Sequence, residues 1–418
     1  MPLNVTIIGG GLAGLLAARV LREKHNVTIL ERWSSGGHEV GAAINLGPNG
    51  AKIAESFGFR ADRCRSIVAK RVMHLNKDGS VINTVEMNDL RKTYGADWYF
   101  QHRSDLWNEF FLLATDPSES LGIGGNPTTC IWDAQAVDVD VDSGDVRLSD
   151  GRTIKSDLVI GADGIRSIVR PLVVGDEAFR LARPSGTSAF RFTIPREKVA
   201  EVDPSFPLLD QSQPAALYMQ SSMDAIERQV VMYPCRNFEL LNIGCIVPDS
   251  ILKLETTESW FSRGCKEDLL RCYHDFDEKT LKILSLAEDI KIWQLRDQDP
   301  LPTYVSGRTI LIGDAAHAMT PHQGQGGNQA IEDAEAFSLF NVSADTIVRD
   351  AVPGILEQIN RVRQPRASRI QQITRESQRQ KSSTERFHTM NYNYTYPGVV
   401  ECLARLDAGQ PLIPVPVS

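Results

Sequence analysis

The chain has 418 residues, 42% of them hydrophobic and 23% charged, which predicts a folded protein of two or three lobes and excludes a disordered or fibrous chain. Its 45 lysines and arginines stand against 53 aspartates and glutamates, a net charge of -8 that is a poor footprint for nucleic acid or an anionic membrane surface. Seven scattered cysteines, with no C-x-x-C pair among them, argue against a disulfide framework or a zinc knuckle.

The first apolar run, Val5-Thr6-Ile7-Ile8, has the pattern of a buried parallel strand. Glycines follow it, then a helix from about Leu12 to Lys24 and a second strand at Val27-Thr28-Ile29-Leu30, which completes one βαβ unit. No basic segment precedes this opening, glycines interrupt it, and no run of about eighteen apolar residues occurs elsewhere, so a cytoplasmic protein without a membrane partner is expected. Alternation from Arg71 to Val85 across the Asn76-Lys77-Asp78-Gly79 turn predicts a hairpin, and Asp105 to Leu113 a short helix. A second hairpin, Ile131 to Leu148, leads into the apolar strand Asp157-Leu158-Val159-Ile160. Its acids Asp138, Asp140 and Asp142 lack the glycine and glutamate of a calcium loop, so they form the polar face of a strand and no metal site is expected. Short β-rich patterns from Ser188 to Val247 predict a separate antiparallel sheet, and helical spacing returns from Thr256 to Leu286. Thr309-Ile310-Leu311-Ile312 is a fourth apolar strand. Between Ile355 and Ile373 the apolar residues share one helical face, the arginines 361, 363, 366, 369 and 375 fall mostly on a solvated one, and Pro365 is expected to kink or divide the helix.

Three motifs carry chemistry. Gly9-Gly10-Gly11-Leu12-Ala13-Gly14 is a G-x-G-x-x-G between strand and helix, where Gly9 permits the turn, Gly11 lets backbone approach a pyrophosphate, and Gly14 lets helix and strand pack closely. Glu31 ends the next strand, where a carboxylate can accept from ribose hydroxyls, with Arg32 beside it. By itself this motif does not separate FAD from NAD. Gly161-Ala162-Asp163-Gly164-Ile165-Arg166-Ser167, with Arg170 close behind, follows a second strand. Gly313-Asp314-Ala315-Ala316-His317, then Pro321 and Gly324-Gln325-Gly326-Gly327-Asn328, follows a third.

With these three motifs in this order, together with Gln101-His102-Arg103-Ser104-Asp105-Leu106 and Tyr233-Pro234, the sequence from Val5 to about Leu339 resembles the group A flavoprotein monooxygenases, the aromatic hydroxylases typified by salicylate hydroxylase and p-hydroxybenzoate hydroxylase. The resemblance implies an α/β fold with a Rossmann-like FAD-binding domain (1–72, 101–180 and 286–345), a mixed or antiparallel β-sheet substrate domain (73–100 and 181–285) and a C-terminal helical region (346–418). It implies that Gly9, Gly11, Gly14, Glu31 and Arg32 hold the ADP half of FAD and that Arg103 reaches the pyrophosphate or ribityl region. Asp163 and Gly164 would serve both FAD and NAD(P)H. Gly313 and Asp314 would meet the ribityl chain, Pro321 would lie beside the isoalloxazine, and Gly324, Gly326 and Gly327 would line the flavin. Gly41-Ala42-Ala43-Ile44 resembles the family's Gly-Ala-Gly-Ile flavin loop, with Ala43 in place of a glycine; Gly327 stands where many relatives have alanine.

The implied reaction uses NAD(P)H and O2 to transfer one oxygen, through a flavin C4a-hydroperoxide, to an electron-rich aromatic small molecule. A phenol becomes more nucleophilic on deprotonation, so a base or cation is needed beside the ring. Ser188-Ala189-Phe190-Arg191 resembles the family's Ala-Tyr-Arg segment, and by analogy with fungal dearomatising relatives Arg191 and Tyr218 are the expected substrate-positioning pair; His322 and His102 are weaker candidates for a base. The rival readings are an epoxidase acting on an alkene or prenyl chain, an NAD-linked dehydrogenase, and a non-catalytic nucleotide-fold escort of prenylated proteins. Composition gives no reading of oligomeric state.

Overall fold

Val5, Ile7 and Ile8 are buried because their strand is covered on both faces, which is the physical origin of the uninterrupted apolar run. In the computed structural model, which describes residues 2–34, 42–252, 263–341, 347–376 and 383–414 (side chains from 388 in the last stretch), this strand, Asn4–Ile8, pairs in parallel with Asn26–Leu30 and with Leu158–Gly161. Thr309–Leu311 joins beyond Leu158–Gly161 and Thr129–Ile131 beyond Asn26–Leu30, and the short strand Val305–Ser306 closes one edge antiparallel, making six strands in all. Helices Leu12–Leu21, Arg103–Thr115 and Gly326–Ala336 pack together on one face. The meander Ala136–Asp140, Asp145–Leu148, Thr153–Lys155 and the helix Val169–Val174 cover the other. The residues of the expected flavin loop before Ala42, Gly41 among them, and the 256–262 part of the expected helical stretch lie outside the described residues.

A seven-stranded sheet forms the second layer, in the order Lys291–Asp297, Arg183–Pro195, Leu240–Pro248, Gln229–Cys235, Ala216–Ser221, Arg71–Asn76, Val81–Glu86. It is antiparallel except where Ala216–Ser221 runs parallel to Arg71–Asn76. Phe190, Phe192, Leu241, Ile243, Val230 and Met232 point to one face, against the helices Lys266–Cys272 and Glu278–Ser285. By strand alternation the residues between them face the other way, toward a small sheet of Ala43–Leu46, Tyr99–His102 and Ile67–Val68.

Two expectations need correction here. Lys291–Asp297, assigned from sequence to the nucleotide-binding part, is the edge strand of the seven-stranded sheet and pairs with Arg183–Pro195. The helix Val352–Glu376 runs on through Pro365, and Arg363 and Arg366 on either side of that residue are fully buried instead of solvated. Arg363 donates to Asp333 Oδ1 (2.8 Å) and Arg366 to Glu332 Oε1 (2.9 Å), also buried, so ion pairs across to helix Gly326–Ala336 hold both sides of the proline. Those pairs offset the lost backbone hydrogen bond, roughly 3 kcal/mol in a helix interior.

Candidate functional site

At the C-terminal ends of the parallel strands lies a cleft of about 480 Å³, lined by Gly9 to Gly11, Glu31, Arg32, Trp33, Trp107, Asn108, Gln135 and Asp163 to Gly164 among others. The glycines divide the work as the motif requires. Gly9 has φ +111°, and a Cβ there would lie 2.3 Å from the carbonyl oxygen of Ala162; one on Gly14 would lie 2.1 Å from that of Gly9. Gly11 instead faces open space and starts helix Leu12–Leu21 with no side-chain cap, leaving the helix N–H groups free for an anion. Glu31 Oε2 accepts from Gly10 N (2.8 Å) and Oε1 from Trp33 N (3.1 Å), which turns the carboxylate over the glycine loop. Arg32 reaches the same cleft, its guanidinium 5.1 Å from the Trp33 ring centre.

The second and third motifs close on the first. Gly313 sits between helices, where a Cβ would lie 3.0 Å from that of Ala13 and 3.6 Å from that of Ala330. Arg170 is wholly buried, and its guanidinium donates to the carbonyls of Asp314 (2.9 Å), Ala315 (2.7 Å), Ile165 (3.1 Å) and Arg180 (3.1 Å). One side chain thus ties Gly161-to-Ser167 to Gly313-to-His317. From the opposite side Asp333 Oδ2 accepts from Gly313 N (2.9 Å) and bonds His317 Nε2 (2.6 Å). Burial raises the pKa of Asp333, but His317 and Arg363 outweigh it and hold the carboxyl at about 2. The side chain of Asp314 remains exposed at the start of its short helix. Asp163 turns inward: its Oδ2 accepts from Ile168 N (2.8 Å), its Oδ1 has no hydrogen bond of good geometry among the described residues, and burial raises its pKa against the opposing effect of Ser167.

Pro321 begins a single turn, Pro321–Gln323, which Gly324 ends in the left-handed conformation, φ +61°. Helix Gly326–Ala336 then starts without a side-chain cap, a second positive helix end with uncapped N–H groups. Asn328 fastens this start, donating to Gly324 O (2.8 Å) and accepting from Gly47 N (2.8 Å). The departure at Gly327 has a local reason: a Cβ there would lie 2.9 Å from Ile44 Cδ1, so the glycine and the Ile44 side chain fit each other.

Arg103 opens the helix Arg103–Thr115, its backbone N–H held by Ala42 O (3.0 Å). Ala43 N donates to Asn242 Oδ1 (3.0 Å), which brings the loop against the open face of the seven-stranded sheet. On that face Arg191 lies in register with Gly244 and Val231, and its guanidinium stacks 4.7 Å from the Trp293 ring centre. Among the described residues it makes no hydrogen bond and no ion pair. Burial lowers its pKa, Tyr233 acts against that, and Arg103 adds to it, so these three groups feel one another's charge. Tyr233 is 5% exposed, and its hydroxyl has no hydrogen-bond partner among the described residues.

The expected pairing of Arg191 with Tyr218 fails. Tyr218 is in register with Met232, and Met232 with Ile243, all on the helix-covered face; Arg191 and Tyr233 lie on the other. His102 is buried beside Ser104 (Nδ1 to Oγ, 2.7 Å), and burial lowers its pKa to about 4, as it does that of His322. Both rings are neutral at neutral pH.

Sequence reasoning missed Tyr233 as the tyrosine facing Arg191, the Arg170 clasp, the Asp333 and Arg363 support, and the aromatic wall of the cleft. In that wall Trp107 Nε1 donates to Gly10 O (2.8 Å) while its ring stacks on Phe111 at 5.0 Å. Tyr233 stands beside Pro234 in the sequence, and strand parity counted from Phe190 and Val230 is the signal that separates it from Tyr218.

Comparison with known proteins agrees with this geometry. Residues 127–374 match the family described as "FAD binding domain". The chain is 33% identical over 345 residues to hispidin-3-hydroxylase of Neonothopanus nambi, covering 80% of this chain and 79% of that one. It is 30% identical over 396 residues to salicylate hydroxylase of Pseudomonas putida, covering 90% and 86%. A solved structure of a salicylate hydroxylase substrate complex superposes with a TM-score of 0.68 at 26% identity, covering 97% of this chain and 93% of that one. Among the described residues no helix is long and apolar enough to cross a membrane.

Proposed function

The chain belongs to the FAD-binding domain family of FAD-dependent monooxygenases, and from that premise we propose that it hydroxylates a small phenolic or similarly electron-rich aromatic molecule, bound as its anion, with NADH or NADPH as reductant and O2 as oxygen source. The observation that carries this reading is the guanidinium of Arg191, with no carboxylate or hydrogen-bond partner among the described residues, on the sheet face turned toward the loop that holds Ala43. A desolvated cation kept without a counter-charge is costly unless a ligand supplies one.

The residues fit FAD. The close approach at Gly9 and the open N-terminus at Gly11 offer backbone N–H groups in the cleft, the Gly313 turn packs against the same helix through Ala13, and helix Gly326–Ala336 starts uncapped. When bound, FAD supplies the hydride-accepting and oxygen-activating chemistry that side chains lack. Gly9, Gly11, Gly14, Glu31 and Arg32 would hold its adenosine diphosphate end, with Arg103, Gly164 and Asp314 along the chain and Pro321, Gly324, Gly326 and Gly327 against the ring. The positive end of the helix beginning at Gly326 favours negative charge beside it.

The protein's part is to hold and polarise the substrate. Arg191 would take the phenolate oxygen and so stabilise the ring's reactive ionised form. Burial raises the Tyr233 pKa, which keeps its hydroxyl a neutral donor to the same oxygen or its neighbour. Ala43, Trp98, Phe100 and Leu217 form an apolar lining that keeps water from the ring. An alkene substrate would leave Arg191 without a counter-charge, which favours the phenolic reading over the epoxidase one.

The test is a screen of phenolic acids, alkylphenols and uncharged alkenes for substrate-stimulated NAD(P)H oxidation, with product mass measured. A phenolic compound should stimulate oxidation and gain one oxygen. Turnover confined to alkenes, or NAD(P)H oxidation that consumes no O2, would reject the proposal.

A further inference from the structure

We infer that the segment Met390 to Tyr394, near the end of the chain, is a wall of the substrate site, and that Tyr394 contacts the substrate and sets the size it accepts. The inference rests on the phenolic reading only for the choice of ligand.

The segment is fastened to the cofactor-side helix. Arg366 donates to the backbone carbonyls of Tyr392 (2.8 Å) and Asn393 (2.8 Å) while its guanidinium is ion-paired with Glu332. Asn393, 4% exposed, donates from Nδ2 to Gln323 Oε1 (2.9 Å) in the turn that starts at Pro321. These bonds use backbone atoms or a neighbouring amide, so the Met390 and Tyr394 side chains are not consumed in anchoring. Both pack against the apolar cluster of Ala43, Trp98, Phe100, Leu217 and Tyr233, on the same sheet face as Arg191. The Tyr394 ring meets Tyr94 edge-on at 5.4 Å, and one of its carbons lies 3.0 Å from where a Cβ on Gly47 would be, at the end of strand Ala43–Leu46.

The hydroxyl of Tyr394 makes no hydrogen bond among the described residues, and the residue is only partly buried. A phenol set into an apolar cluster without a partner calls for an acceptor from outside the chain. Tyr94 bonds elsewhere, its hydroxyl donating to Asn391 Oδ1 (3.2 Å), so it does not serve Tyr394. With Tyr233 and Arg191 on the sheet and Tyr394 on the C-terminal segment, donors reach the ligand from two independent elements. The size of the gap between them is then a property of the segment.

The experiment uses the full-length, FAD-loaded protein and its Tyr394→Phe, Tyr394→Ala and Met390→Ala variants. Flavin absorbance per protein reports that each variant is folded and loaded. Ligand-induced perturbation of the flavin spectrum gives Kd for a series of 4-alkylphenols of growing chain length, and acrylamide quenching of flavin fluorescence reports how open the cavity is. Tyr394→Phe should weaken ligands that present an acceptor by about 2- to 12-fold, the range of one net neutral hydrogen bond. Tyr394→Ala and Met390→Ala should move the preference to longer chains, by about fourfold per additional methylene accommodated, and should make the flavin easier to quench. Normal flavin content with wild-type Kd ratios and wild-type quenching in both alanine variants would overturn the inference. If no phenol perturbs the wild-type spectrum while quenching still rises in the alanine variants, the phenolic reading fails and the wall stands.

Discussion

Replacing Arg191 with methionine separates a substrate-binding cation from a structural one. The guanidinium touches the Trp293 ring and, among the described residues, neither donates a hydrogen bond nor pairs with a carboxylate, so its removal strands no buried partner. The structural loss is confined to one cation–π contact, about 0.5 to 2 kcal/mol, which a methionine sulfur against the same ring partly restores. Removal of a desolvated charge acts in the stabilising direction. The melting temperature and flavin content should therefore stay close to wild type. Binding should not: a hydrogen bond to a charged group contributes about 1.5 to 3 kcal/mol, so Kd for a phenolic ligand should rise about 10- to 150-fold. Poor orientation of the ring should also uncouple NAD(P)H oxidation from product formation, read as reduced product per NAD(P)H consumed. The assay is differential scanning fluorimetry with flavin absorbance, followed by ligand titration and product quantification. A variant with unchanged Kd and coupling, or one that melts far below wild type, would refute the assignment.

Arg363→Met is the opposite case. It leaves Asp333 Oδ1 without its arginine and takes one of two arginines from Glu332, whose oxygens then keep only Arg366, in a fully buried site; breaking such a pair costs about 3 to 5 kcal/mol. Calorimetry should show that loss, and flavin occupancy should fall as well, because Asp333 holds the N–H of Gly313. Gly14→Ala places a methyl 2.1 Å from the Gly9 carbonyl oxygen, so strand and helix must part; the cost is about 1 to 3 kcal/mol or more, with loss of FAD affinity measured by apoprotein titration. Between pH about 7 and 4, stability should fall as pH falls. His102 and His322 have pKa values near 4 in the folded chain and an ordinary value of 6.5 when unfolded, so the unfolded chain binds more protons across that window. Asp333 contributes later, its share being lost only as pH drops from 3.8 toward about 2. A melting temperature independent of pH from about 7 to 4 would contradict the neutral state of the two rings.

The nucleotide-binding half was legible because its physics is local. A strand buried on both faces has to be apolar throughout, Gly9 is required by its own φ of +111°, and Gly14 by the carbonyl of Gly9 five residues before it; only the contact of Gly9 with Ala162 is long-range. The clustering of the three motifs was legible only through resemblance, since Ala13 and Gly313 meet by chain topology alone. Which tyrosine faces Arg191 depends on the pairing register of four strands, and a one-residue difference in parity moves a side chain to the opposite face, as Tyr218 shows. Arg363 and Arg366 look like surface residues in the sequence because their carboxylate partners sit on a different helix, and Pro365 between them looks like a break for the same reason. The C-terminal segment carries no motif at all; its place beside the turn Pro321–Gln323 appears only through Arg366 and Asn393.

The functional proposal turns on the site taking its aromatic ligand as the anion, beside a cation that no carboxylate among the described residues neutralises. The direct measurement is the ionisation of a bound nitrophenol, followed by its visible phenolate band in the FAD-loaded protein across a range of pH. The account predicts that the bound ligand ionises about one to three pH units below the free one, as an opposite charge within contact distance requires, and that Arg191→Met removes the difference. A ligand that binds with its ordinary or a higher pKa would contradict it.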